Sequence, residues 1–237
     1  MTDRSLHNQL LREVREAAAA NAPLPGELEL TARLGCTRQQ LRNALAELER
    51  QGILRRRQGA PTTVDQVGLR MSVRLEDQFE HTVLLSRMGY EAEVEILRSE
   101  VEPLPPSIAA LLDAEPGSPA LRSVKRWRAD GRPAMLASGY LLLPDGAPRE
   151  LDDSVFTAVT QVWNESLVWE VATPGAAALD AGQAALLERP EGTPVMTFEL
   201  IGVSVSGRRL FYAFEHHLPE VVRYSFARTV RPPWDGV

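Results

Sequence analysis

Apolar side chains recur at helical spacing along the first fifty residues and at strand spacing through much of the remaining chain. Leu6, Leu10, Leu11 and Val14 form a stripe that predicts a first helix over residues 5–20. A short second helix, 27–34, starts behind Pro25-Gly26 and stops at Gly35, where a left-handed conformation costs little. Thr37 offers its hydroxyl as N-cap to a third helix, in which Leu41, Ala44, Leu45 and Leu48 share one face. Gly52 ends that helix. Residues 53–57 and 62–64 then predict two short strands around Gln58-Gly59-Ala60-Pro61. Three helices followed by such a hairpin read as a winged helix-turn-helix.

Beyond residue 64 the pattern changes. Residues 65–75 show no strong periodicity and read as a linker. Phe79, Val83, Leu84 and Met88 suggest a helix over 76–88, stopped by Gly89. Residues 91–101 alternate as a half-buried strand does, and 107–112 form a short helix after Pro105-Pro106. Asp130-Gly131, flanked by 121–129 and 132–143, is a type I′ hairpin signal. Ser206-Gly207, between 195–205 and 208–217, marks a second hairpin. Helices at 152–163 and 181–187, a strand at 168–172 and a last strand at 223–230 complete an α+β body with an antiparallel sheet. The domain expectation is 1–64, a linker at 65–75, and 76–237.

Charge sharpens this division. Residues 1–64 carry ten arginines against seven acids, whereas the remainder carries 16 basic residues against 25 acids, for −6 overall. A basic head on an acidic body suggests that only the head meets a polyanion. Cys36, the single cysteine, excludes an intramolecular disulfide and fits a reducing cytosol. No run of 18 apolar residues is present, so the expectation is a cytoplasmic protein without membrane contact.

In the head, Arg38 and Arg42 lie four apart on the third helix, so both guanidinium groups face one way and can reach base edges in a major groove. Thr37 and Gln39 flank them as candidate phosphate or base contacts. Arg55 and Arg57 alternate on a strand and share a face suited to phosphate, while Arg56 points the other way. In the body, Arg126 and Arg128 project from one face of a strand and need an anion, either a protein carboxylate or a bound ligand. Tyr140 on the partner strand offers a hydroxyl or core packing. Tyr212 and Glu215 point to opposite faces, so at most one shares a pocket with the arginines. His216 and His217 are adjacent and likewise diverge, which argues against one metal ion between them. No cofactor or metal is expected. Trp127, Trp163, Trp169 and Trp234 read as core or dimer contacts.

These motifs resemble the GntR family of transcriptional regulators, HutC subfamily, with a C-terminal UTRA ligand-binding domain. The head matches through Leu24-Pro25, Glu27, Leu30, Leu34-Gly35, Thr37-Arg38, Arg42-Asn43-Ala44-Leu45, Glu47-Leu48, Gly52 and Arg57-Gln58-Gly59. The body matches more loosely, through Gly89, the stretch 126–133, Tyr140-Leu141 and Arg223-Tyr224. The resemblance implies a chorismate-lyase-like sheet domain and a homodimer on a palindromic double-stranded operator, released by a small-molecule effector. It adds Gln58 and Gly59 to the DNA-contacting residues. It matches the effector site at Arg126 and Arg128, so the effector candidates are these two together with Tyr140, Tyr212 and Glu215 from the strands beside them.

Three departures from the family pattern stand out. Gly26 and Leu28 replace a common Ser and a DNA-touching Arg, and Pro61 replaces a wing-tip glycine. Where sugar-phosphate binders carry a Ser or Thr early in the domain and a Glu in the second hairpin, the nearest positions here are Gln78 or Phe79 and Phe211 or Ala213. This last departure argues against a sugar phosphate. The expectation is a ligand-responsive, DNA-binding transcriptional repressor and not an enzyme, its effector a small anion. The alternatives are an enzymatic body of chorismate-lyase-like fold and an effector-free dimerisation module.

Overall fold

The computed structural model describes residues 3–57, 59–76, 78–148 and 150–228, with side chains from Leu6 onward. Two compact units emerge. One gathers the chain up to Phe79, Val83–Tyr90 and the tail from Arg223; the other is Glu80–Thr82 with Glu91–Val222. The stretch expected as a linker falls within the first unit.

In the first unit, α1 (Asp3–Ala19), α2 (Glu27–Leu34) and α3 (Arg38–Arg50) bury the expected leucines, with Leu6, Leu10, Leu30, Leu41, Leu45 and Leu48 in one cluster with Ile53. Gly35 closes α2 at φ 58°. Thr37 opens α3 through a capping box: its hydroxyl accepts the Gln40 amide at 3.2 Å, while the Gln40 side chain accepts the Thr37 amide at 3.0 Å. The wing strands are shorter than the apolar pattern suggests. Only β1 (Leu54–Arg55) and β2 (Thr63–Val64) pair, although the Leu24 amide also donates to Thr62 O at 2.9 Å.

Asp65 then accepts the amides of Val67 and Gly68, both at 2.9 Å, and so starts α4 (Gln66–Arg70) where the sequence pattern suggests a linker. Helix α5 is His81–Arg87. In place of a strand over 223–230, the described part of the tail makes one isolated parallel bridge, Ser225 to Arg74.

The second unit is built on a six-stranded, wholly antiparallel sheet in the order β3-β4-β5-β8-β7-β6. The strands are β3 (Ala92–Pro103), β4 (Pro119–Ala129), β5 (Arg132–Leu142), β6 (Leu167–Ala178), β7 (Pro194–Ser204) and β8 (Arg209–His217). Asp130 at φ 50° and Gly131 at φ 74° give the I′ turn joining β4 to β5. β6 runs well past the expected 168–172. It lies at the sheet edge, where Pro174 withholds no needed ladder hydrogen bond.

Helices α6 (Pro106–Leu112) and α8 (Ala181–Leu187) cover one face of the sheet. The first packs beside Tyr140, Tyr212 and Ile201, the second beside Val124 and Leu136. Helix α7 (Val155–Trp163) packs on Leu121 and Leu141 of the opposite face. Among the described residues no helix is long and apolar enough to cross a membrane.

α4 rests against the end of α3 so closely that a methyl group at Gly68 would overlap the Gly52 carbonyl oxygen. Both partners are backbone, so neither can rotate away. Gly68→Ala is expected to destabilise the first unit by about 1–3 kcal/mol, the range for forced backbone shifts, read as a lower urea midpoint.

Candidate functional site

The outer face of α3 carries Arg38, Gln39, Arg42 and Asn43, all exposed, while Leu41, Leu45 and Leu48 anchor its other side. Arg38, in the first turn, makes no ion pair among the described residues. Arg42 is held: its Nε donates to Glu27 Oε2 at 2.9 Å, and Arg56 Nη2 donates to Glu27 Oε1 at 3.0 Å. Glu27 thus ties the start of α2 to both α3 and the wing. Gln39 donates to Asn43 along the exposed face at 2.9 Å. The Thr37 hydroxyl is engaged by the helix cap. In the wing, Arg55 pairs with Asp65, Arg57 is exposed without an ion pair among the described residues, and Gly59 sits at φ 77° in the tip. Gln58 lies outside the described residues.

The residues expected to hold an effector do not converge. Register places Arg126, Leu136, His216 and Thr197 in one row across four strands, with Tyr140 opposite Tyr212 on the same face. This is the face covered by α6 and α8. There the arginines have protein partners: Glu95 takes both, with Arg126 Nε to Glu95 Oε2 at 2.9 Å. Arg126 also donates to Leu186 O at 2.7 Å and Arg128 to Glu188 Oε1 at 2.7 Å. The two guanidinium groups hold the Glu95 carboxyl below the usual carboxylate range. Of the two anion sources left open by the sequence, the structure supplies the protein carboxylates. Tyr212 donates to Glu199 Oε1 at 3.2 Å, and burial followed by the Glu199 charge pushes its hydroxyl up to about 12.

Glu215 lies on the other face, in the row Lys125–Ala137–Glu215–Phe198, next to the row Trp127–Met135–His217–Met196. There it is buried between two imidazoles, with His81 Nε2 at 2.8 Å from Oε1 and His217 Nε2 at 2.9 Å from Oε2. Glu215 lies on the same face of β8 as Phe211 and Ala213, farther along the strand. Burial works against the Glu215 charge, yet the His81 charge and the two histidine hydrogen bonds hold it well below the usual carboxylate range. Burial also opposes the His81 cation. The Glu215 charge and hydrogen bond, with Glu80 and Glu170, outweigh it and raise His81 above the ordinary imidazole value. His217, buried and beside His81, is lowered despite its bond to Glu215. Burial and the Glu215 charge push Glu170 up to about 7, against the pull of His81.

Two nitrogens in this cluster, His81 Nδ1 and Trp127 Nε1, are buried and have no hydrogen-bond partner among the described residues. Their rings meet edge-on with centroids 4.7 Å apart. Lys125, whose ammonium donates to Asp153 O, stands on the same sheet face, its pKa lowered chiefly by burial. Lys125 and Trp127 carry no motif of their own, although the alternation that pairs Arg126 with Arg128 also pairs these two on the opposite face. His81 has no local signal, being 134 residues from Glu215.

Both parts of the chain match family models: bacterial regulatory proteins of the gntR family over residues 4–64, and the UTRA domain over residues 87–223. The chain is 32% identical over 215 residues to the HTH-type transcriptional regulator Rv0792c of Mycobacterium tuberculosis, covering 87% of this chain and 77% of that protein. It is 26% identical over 198 residues to RB1450 of Rhizobium meliloti, an uncharacterized HTH-type transcriptional regulator, covering 82% and 81%. Among solved structures the fold is similar to PhnF of Mycobacterium smegmatis, with TM-score 0.60, 21% identity and coverage of 88% and 92%. YydK of Bacillus subtilis, a possible transcriptional regulator, gives TM-score 0.57 at 13% identity, covering 97% and 100%.

If Glu95 is the resident counter-ion of Arg126 and Arg128, its removal strips two part-buried cations of their shared partner. Glu95→Ala is expected to lower the urea midpoint at unchanged slope, while Glu191→Ala, at an exposed acid, leaves it in place.

Proposed function

The chain belongs to the GntR family of bacterial regulatory proteins, as a DNA-binding transcriptional regulator with a UTRA domain, and from that premise we propose a dimeric repressor, released from a palindromic operator by a small anionic metabolite. Its place is the HutC subfamily and its setting the cytoplasm. The head enters the major groove through α3. Arg38 reads a base edge and Arg42 reads or clamps beside it once Glu27 lets go, with Thr37 and Gln39 alongside. Arg55, Arg57, Gln58 and Gly59 meet phosphate from the wing. Arg55 already carries a partner in Asp65, so Arg57 contributes more net charge there.

The effector seat is the buried cluster on the α7 face of the sheet. One observation carries this: His81 Nδ1 and Trp127 Nε1 are buried without partners among the described residues, on a face that also holds Lys125. Buried polar atoms left unpaired are costly, and an acceptor oxygen satisfies both at once. The Lys125 ammonium on the same face favours that oxygen when it belongs to an anion. Arg126, Arg128, Tyr140 and Tyr212 then position the sheet from its other side, and of the five expected effector contacts Glu215 alone adjoins the seat. Dimerisation is supported by edge strand β6, which exposes Val168, Trp169 and Val171. We read the body as a sensor and not an enzyme, in keeping with the relatives and family models, which are transcriptional regulators.

Two outcomes are expected. On operator DNA, Arg38→Ala costs about 1–3 kcal/mol with little change on random DNA, whereas Arg57→Ala weakens both alike and reduces the salt slope by about 1. Equal losses for Arg38→Ala on both DNAs would contradict the reading role. In a thermal-shift screen of acidic metabolites, the compound that stabilises the protein also releases the operator, and Trp127→Phe blunts both effects together. A hit whose shift is indifferent to Trp127→Phe but lost in Arg126→Ala would move the effector to the other face.

A further inference from the structure

His81, Glu215 and His217 bring three potential ligand atoms within 4.8 Å of one another, all three side chains buried. Two come from β8 and, being two residues apart, share a face; the third comes from the start of α5. We propose that this triad binds one borderline divalent cation, of which Zn²⁺ is the reference. The donor set decides the class. Two imidazoles and one carboxylate suit Zn²⁺, Co²⁺ or Ni²⁺, whereas Mg²⁺ and Ca²⁺ prefer oxygen throughout.

The geometry fits with small movements. The carboxylate oxygens lie 2.8 and 2.9 Å from the two Nε2 atoms. A tetrahedral ion about 2.1 Å from each ligand needs its ligand atoms roughly 3.4 Å apart, so the two carboxylate–imidazole pairs open by about half an ångström. The ion replaces the Nε2 protons that otherwise lie between histidine and carboxylate. Glu215 offsets half of the ion's charge, and three protein ligands leave one position open.

The same ion gives His81 Nδ1 a definite role. With Nε2 on the metal, the ring proton stays on Nδ1, which becomes a fixed donor beside the indole N–H of Trp127, likewise without a partner among the described residues. This last step rests on the proposed effector seat: open metal position and two donors together hold an anionic oxygen. His216, adjacent in sequence but on the opposite sheet face, takes no part.

The test uses the full chain, its affinity tag removed and its metals stripped with chelator. Zn²⁺ titrated by calorimetry is expected to bind at one ion per chain. Glu215→Gln, His217→Ala and His81→Gln each weaken binding at least roughly tenfold, the low end of what losing even an outer partner of a ligand costs. His216→Ala binds as the parent does. No binding, or binding indifferent to all three substitutions, overturns the proposal.

If a variant fails to fold by circular dichroism, Co²⁺ added to the parent protein carries the test. Intense visible bands of a four- or five-coordinate ion are expected, and the pale spectrum of a six-coordinate one overturns the site. Operator release by the screened metabolite is measured on the same stripped protein. Release without any metal binding sinks the metal site and leaves the effector seat standing; metal binding without release does the reverse.

Discussion

The alternation of side chains across an antiparallel sheet governs what each charged residue of the second unit can do. Each strand sends successive residues to opposite faces, and register locks the rows of neighbouring strands together. The row through Arg126 and His216 therefore cannot share a pocket with the row through Lys125 and Glu215. A slip of one residue would exchange the two sets, burying arginines among histidines. The pairing resists such a slip because each set is electrostatically complete: Glu95 and Glu188 answer the arginines, and Glu215 answers His81 and His217. Unpaired charge on either face would be expensive.

On the proposed reading, that division separates scaffold from site. The α6/α8 face is closed by apolar packing and by arginines whose hydrogen bonds go to protein. The α7 face keeps polar atoms that the described residues do not satisfy, and such atoms mark where a small molecule gains most from binding. In the head, the equivalent division runs along α3. Its leucines fix the helix in the core, and its exposed arginines differ in freedom, one unpaired among the described residues and one held by Glu27.

Much of the head is legible in the sequence because its signals are local. Leucine periodicity, Thr37 as cap and Gly35 as stop each act within one turn of helix, and each stands where the pattern puts it. The Asp130-Gly131 turn is legible for the same reason. Helix α4 escapes the pattern although Asp65 is an ordinary cap, since five residues are too few to show periodicity. β6 outruns its expected length because 174–178, Pro-Gly-Ala-Ala-Ala, has no strand propensity and owes its pairing to β7. The site is legible only in part. Alternation correctly groups Arg126 with Arg128 and sets Tyr212 apart from Glu215, but it does not say which face is closed. That depends on α8 delivering Glu188, and on His81 arriving from far along the chain. Neither leaves a mark in local spacing.

The ligand of this regulator, on the proposed reading, sits on the α7 face of the sheet, among His81, Lys125, Trp127 and Glu215. A crystal structure of the full chain bound to the metabolite that releases its operator tests this most directly. An acceptor group of the ligand is expected within hydrogen-bond distance of Trp127 Nε1 and His81 Nδ1, with Arg126 and Arg128 still on Glu95. A ligand seated against Arg126 and Arg128, with Glu95 displaced, would contradict it.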